Sequence, residues 1–243
     1  MGRHFEVRAA AMAKTAAAKT KIYSRYGREI YLAAKSGVAD PEMNLTLKRV
    51  IAQAKSNQVP SDVINRAIEK AKGGSTESYD EAVYEGFGPG SSSLIIDCLT
   101  DNLNRTLGDI RTCFNKCRSK LGASGSVSFM YDHVGLFVFD YEGDSEKLLE
   151  QLLEEDVDVL DFSGDDGVIE LRVSPNDFHE TRSVLDSIIG EDKEYKACEI
   201  AKIAQELVTL SDPEELERFK KLISMLNELD DVSNVFHNVD LSE

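Results

Sequence analysis

The residues of this chain best suited to chemistry are cations: Arg3, Arg8, Lys14, Lys19, Lys21, Arg25, Arg28, Lys48, Arg49, Lys55, Arg66 and Lys70. Phosphate is the group such a series would bind, because like charges gathered on one module repel one another unless a polyanion neutralises them. Residues 1–73 carry 14 Lys and Arg against 6 Asp and Glu, a net charge of +8. Residues 74–243 carry 14 against 38, a net charge of −24, so the overall −16 conceals a basic head. If the first helices are continuous, Lys14, Lys21, Arg25 and Arg28 share one face, and the pairs Lys48/Lys55 and Arg66/Lys70 repeat that spacing. A solvated helix face, or a head docked on its own acidic neighbour, would use the same residue types. The number of cations on so few acids is what favours a nucleic-acid partner. Tyr23, Tyr26 and Tyr31 interleave with them; they could stack on bases, but their helical spacing favours packing in the core.

Other polar segments offer less. Tyr84-Glu85-Gly86-Phe87-Gly88-Pro89-Gly90 is glycine-rich, yet a dinucleotide or P-loop site needs such a turn to follow a strand and open a helix, so it reads as a structural loop. In Leu99-Thr100-Asp101-Asn102-Leu103-Asn104-Arg105-Thr106 a strand gives way to a helix. There Asp101 or Asn104 is placed to cap the helix, and Asn102, Asn104 and Arg105 are candidates for an anion or partner contact. Cys113 and Cys117 lie at i, i+4 without a cationic partner and read as packing. Cys98, Cys113, Cys117 and Cys198 form no CxxC and the four histidines lie far apart, so reduced thiols and no metal are expected. Asp165-Asp166-Gly167 reads as a turn between strands. No Ser/His/Asp or Cys/His arrangement assembles from local spacing; no catalytic residue, no cofactor and no enzymatic activity are expected.

The elements that must position these groups fall into blocks. Ile22, Tyr26, Ile30 and Ala34 recur every fourth residue up to Gly37, predicting an amphipathic helix. Asp40-Pro41 is read as the cap and first residue of a second helix, and Ser61 as the cap of a third that ends at Gly73-Gly74. Beyond these, strands are predicted at 92–99, 126–131, 134–141, 157–162, 167–173, 196–202, 205–210 and 232–237, and helices at 105–117, 145–154, 176–188 and after Asp212-Pro213. Residues 134–203 read βαββαβ, a ferredoxin-like split βαβ unit, and the flanks together make a second such unit interrupted by the first. The expected fold is α+β: a basic helical domain at 1–74, a discontinuous ferredoxin-like domain at 82–132 plus 204–240, and an inserted one at 133–203.

At 243 residues, 42% hydrophobic and 30% charged, the chain suits a globular protein of two or three domains. The longest stretches free of charge, 86–96 and 121–131, are too short for a membrane helix, which needs about 20 residues. The alanine-rich start is broken by Lys14 and lacks an apolar core, so no secretory signal is read and a cytoplasmic location is expected.

Taken in order, Gly2-Arg3, Lys21-Ile22-Tyr23-Ser24-Arg25, Glu29-Ile30, Ala33-Ala34-Lys35, Asp40-Pro41, Asn44, Leu47, Pro60, Ile64 and Arg66-Ala67-Ile68 form a series. The 84–90 and 99–106 segments, Gly122-Ala123-Ser124-Gly125-Ser126-Val127, Leu229-Asp230-Asp231-Val232 and Val235 continue it. This series resembles the YebC/PmpR family, and within it the YeeN-type branch. The resemblance implies a three-domain fold and a non-catalytic role in gene expression: a DNA-binding transcriptional regulator or, alternatively, a translation factor acting on RNA and the ribosome. A further alternative, from the residues themselves, is an interaction module whose head binds an acidic protein. His4-Phe5 stands where the family usually carries Lys-Trp, which removes a cation and an indole from that segment.

Overall fold

The computed structural model describes residues 16–73, 79–165, 167–190 and 195–241. The chain forms two compact units, one built from Lys14–Val127 and Leu210–Val235, the other from Ser128–Thr209 and Phe236–Glu243.

The first unit opens with three helices, α1 (Ala16–Lys35), α2 (Leu45–Ser56) and α3 (Ser61–Lys72). Their apolar stripes meet in a core of Tyr26, Ile30, Leu47, Ala54, Ile64 and Ile68. Two of the expected caps are elsewhere. Asp40 makes a turn instead, accepting from Met43 N–H through its carbonyl and from Glu42 N–H through its side chain. The cap of α2 is Asn44, whose Oδ1 accepts from Leu47 N–H at 3.0 Å while its Nδ2 donates to the carbonyls of Ala33 and Val38. One amide thus closes the end of α1 and opens α2. Pro60, extended at φ −60° and ψ 141°, stands at the start of α3, so Ser61 is its first helical residue and caps nothing.

Behind the helices lies a four-stranded sheet in the order β3-β1-β2-β8, from β1 (Asp80–Phe87), β2 (Ser93–Thr100), β3 (Lys120–Leu121) and β8 (Val232–His237). It accompanies α4 (Leu103–Lys116), with Ile110, Cys113 and Phe114 buried, and α7 (Pro213–Glu228), with Phe219, Leu222 and Leu226 buried. The glycine-rich segment read as a loop is largely β1, antiparallel to β2 with Gly86 opposite Leu94. Its alternation is hidden because Gly86 occupies an inward position: a Cβ there would lie 2.4 Å from the Phe114 ring. Its neighbour Glu85 is buried, and its carboxylate accepts the N–H groups of Gly125 and Val127 at 2.8 and 2.7 Å. Residues expected as a strand at 126–131 instead turn around that carboxylate and through a short 3-10 helix, Ser128–Met130. The outer sheet therefore has the expected number of strands but is built ββαβ and then αβ.

The second unit contains β4 (Tyr131–Asp140), α5 (Ser145–Glu154), β5 (Val159–Asp165), β6 (Val168–Val173), α6 (Phe178–Ile189) and β7 (Tyr195–Ala204). Its order β5-β6-β4-β7, antiparallel throughout, is that of the ferredoxin-like split βαβ unit expected at 134–203. Phe137 and Phe178 stack at 4.7 Å in its core. The strand expected at 205–210 is only an isolated bridge between Val208 and Val239. The α+β class and the two four-stranded sheets agree with the sequence reading.

Gly86→Ala forces a methyl group into the Phe114 ring and should destabilise the protein by about 1–3 kcal/mol, read as a lower urea midpoint. Burial pushes His237 down to about 4 while its Nδ1 accepts Val239 N–H, so NMR should find its ring neutral at pH 7 and titrating well below the usual 6.5.

Candidate nucleic-acid interface

Two of the cations expected to face a ligand are turned inward. The Arg28 guanidinium lies 3.1 Å from the Asp231 carboxylate and also donates to the Asp230 carbonyl, with its side chain only 13% exposed. One turn earlier, Arg25 donates to Asn234 Oδ1 at 2.9 Å, to the Ser233 carbonyl at 3.1 Å and to Glu29 at 2.9 Å. Arg28 binds the segment that leads into β8 and Arg25 binds β8 itself, so both attach α1 to the sheet where their spacing had placed them facing phosphate. Arg28 gives Nη1 to the Asp231 carboxylate and Nη2 to the Asp230 carbonyl, and its Nε is buried away from the surface.

Asp231 is the hub. Its Oδ2 accepts from Thr100 Oγ1 at 3.1 Å, Thr106 Oγ1 at 2.8 Å and Arg105 at 2.7 Å, and its carbonyl accepts from Leu99 N–H. Burial alone would raise this carboxyl; the hydrogen bonds from Arg105, Thr106 and Thr100, with the Arg105 charge, outweigh it and hold the group below its ordinary value. Arg105 also binds Asp101 at 2.7 Å and is raised above its usual value by these hydrogen bonds, Asp231 first. Two carboxylates meet its charge, and its side chain stays 47% exposed. Asn102, not Asp101 or Asn104, caps α4 by accepting from Arg105 N–H, and Asn104 is exposed in the first turn.

The remaining described cations face outward. Lys48, Arg49 and Lys55 on α2 and Arg66 and Lys70 on α3 are all exposed. Lys48 is 59% exposed and meets Glu42 at 3.5 Å, an exposed pair of about 0–1 kcal/mol that a phosphate can displace. Partial burial lowers Arg49 without affecting its charge at neutral pH. The Lys70 ammonium stands 5.7 Å from the ring centre of Tyr31. Tyr26 and Tyr31 are core residues, and Tyr26 OH accepts from Asn57. Arg3, Arg8 and Lys14 lie outside the described residues, as do the side chains of Lys19 and Lys21.

Cys113 and Cys117 are buried and raised chiefly by that burial, which keeps them as packing thiols. Among the described residues no His/Cys/Asp/Glu group could hold a metal ion, and no helix is long and apolar enough to cross a membrane. Sequence reasoning missed the roles of Asp231, Glu85 and Asn44. The signal for Asp231 was a pair of aspartates immediately before a strand, in a chain whose basic head needed internal partners.

A basic three-helix head fastened by arginines to a split sheet that carries a ferredoxin-like insertion makes this a modular α+β protein. The TACO1/YebC protein N-terminal domain matches residues 3–74, and the TACO1/YebC second and third domain matches residues 79–239. The chain belongs to the TACO1/YebC family. It is 54% identical over 239 residues to a "probable transcriptional regulatory protein" of Acholeplasma laidlawii, covering 98% of each chain. A Vibrio parahaemolyticus relative of the same description is 49% identical over 241 residues, covering 99% of this chain and all of its own. Among solved structures, a conserved hypothetical protein from Aquifex aeolicus is similar with a TM-score of 0.76 and 32% identity, over 93% of this chain and 92% of that one.

Removing Asp231 leaves the Arg28 charge without its carboxylate and takes an acceptor from Thr100, Thr106 and Arg105, so Asp231→Ala should cost about 3 kcal/mol. Arg28→Ala added to it should cost much less than it does alone, a coupling of about 1 kcal/mol or more in a double-mutant cycle. Because the folded carboxyl sits below its unfolded value, its contribution is complete above pH ~4 and is lost as pH falls through the folded value; this acid-side slope should disappear in Asp231→Ala.

Proposed function

We propose that this protein is a non-enzymatic regulator of gene expression that binds nucleic acid through the outward cations of α2 and α3: Lys48, Arg49, Lys55, Arg66 and Lys70. The carrying observation is the division of the head's charge. Arg25 and Arg28 are committed to the protein's own carbonyls and carboxylates, whereas these five stand on the surface of a module with few acids. Arg3, Arg8, Lys14, Lys19 and Lys21 extend the contact set in this proposal. The frame is a head at 1–74 that touches phosphates and two α+β domains, 82–132 plus 204–240 and 133–203, that determine what else is touched, in a cytoplasmic protein.

The names of the relatives favour transcription, with DNA as the polyanion. The charge of the body supports a second reading. Residues 74–243, at net −24, would be repelled by a long bare duplex, which fits local contact with ribosomal RNA better than wrapping along DNA.

If each of the five described cations neutralises one phosphate, duplex affinity should fall roughly 500-fold between about 50 and 200 mM salt, and more steeply if the first 21 residues add contacts. A flat response removes the nucleic-acid reading. The variant Lys48→Glu, Lys55→Glu, Arg66→Glu should lose binding by ~100-fold or more with thermal unfolding unchanged. Gradient co-sedimentation with ribosomes, with and without RNase, beside a genomic DNA pull-down at equal salt, separates the readings. RNase-sensitive comigration with ribosomes supports translation, and DNA retention without comigration supports transcription.

A further inference from the structure

A groove of about 480 Å³ runs between α2 and α3, and its composition bears on which form of nucleic acid the head receives. Its floor is aliphatic, formed by the exposed Ala52 beside Ile51, Ile64 and Ile68, which are largely buried in the head core. Lys48 and Lys55 line its α2 side, about 10 Å apart along that helix at seven residues' separation. The exposed Asn65 on α3 supplies an amide that both donates and accepts. A rigid duplex presents phosphates and stacked base pairs, and could use the two lysines while leaving the apolar floor wet. A single strand has free bases, whose faces gain from leaving water and whose edges want a donor and an acceptor.

We infer that the α2–α3 groove seats an unstacked nucleotide of a single-stranded nucleic acid, its base on the Ile51–Ala52–Ile64 floor, its edge at Asn65 and its flanking phosphates at Lys48 and Lys55. The inference rests on the nucleic-acid reading above and specifies its ligand as single-stranded. Charge sets the direction along the groove. Beyond Pro41 the continuation is lined by Asp40 and Glu69 against Lys72 alone, so the phosphates keep to the Lys48–Lys55 end. There Glu42 is the single carboxylate among the lining residues, and its exposed pair with Lys48 yields to a phosphate.

The test is fluorescence anisotropy on the full chain with a short single-stranded RNA, the same sequence as single-stranded DNA, and the corresponding duplexes at one salt concentration. Single strands should bind roughly tenfold or more tightly than duplexes. Ala52→Leu fills the groove from an exposed helix position with a side chain that offers no ring for a base to stack on, and circular dichroism checks that the head remains helical. It should weaken single-strand binding by about tenfold and duplex binding hardly at all, and Asn65→Ala should weaken the single strand in the same sense. Equal affinity for single strand and duplex, with Ala52→Leu inert, overturns this inference while the nucleic-acid reading survives. Binding of neither overturns both. A Glu/Leu amphipathic helical peptide whose binding is lost in Ala52→Leu, with RNA binding unaffected, would instead make the groove a protein-docking site and also overturn the inference.

Discussion

One carboxylate organises the head and its sheet. Asp231 collects two arginines and two buried threonine hydroxyls from three separate stretches of chain, α1, the end of β2 and the start of α4. A buried carboxylate is tolerated only when its lone pairs are filled, and here they are filled by groups that would otherwise be costly to bury themselves. The consequence is mechanical: α1 is held against the strand β8 by Arg25 and Arg28, so α2 and α3, packed on α1, are presented from a fixed base. Asn44 does the same inside the head by joining α1 to α2, and Glu85 does it in the sheet by gathering the 122–127 turn.

On the proposed function, the basic head divides into charge used for construction and exposed charge offered to phosphate. Arginines perform the first task because the planar guanidinium can bind a carboxylate and a carbonyl at once. Lysines dominate the second, where a hydrated, movable point charge suits contact with phosphates along a backbone. On the proposed function, the body's net charge of −24 complements the division, since it discourages indiscriminate coating of duplex.

Much of this was legible in the sequence, and what was not has physical causes. The three helices of the head were visible because their apolar residues recur at helical spacing, and the inserted ferredoxin-like unit because alternating or short apolar runs take turns with helical patterns along it. β1 was obscured because Gly86 and Glu85 occupy positions where a strand normally shows alkyl groups: one must be empty for Phe114, and the other is a buried acceptor for a turn forty residues away. The helix caps were misplaced because Asp-Pro and Ser serve equally well in turns, and which use prevails depends on tertiary partners such as the carbonyls that hold Asn44. Arg25 and Arg28 could not be separated from the outward cations by spacing alone. Their partners lie some two hundred residues along the chain, and helical periodicity carries no information about that distance.

The central claim is that the head's cations do two different jobs, and residue-by-residue chemical protection tests it most directly. Amine- and guanidine-directed labelling, quantified by mass spectrometry with and without bound nucleic acid, reports the state of each side chain. The account predicts that Lys48, Arg49, Lys55, Arg66 and Lys70 label readily in the free protein and are shielded in the complex, while Arg25 and Arg28 remain poorly reactive in both. Ready labelling of Arg28 in the free protein, or shielding of Arg25 and Arg28 with the α2 and α3 cations unchanged, would contradict it.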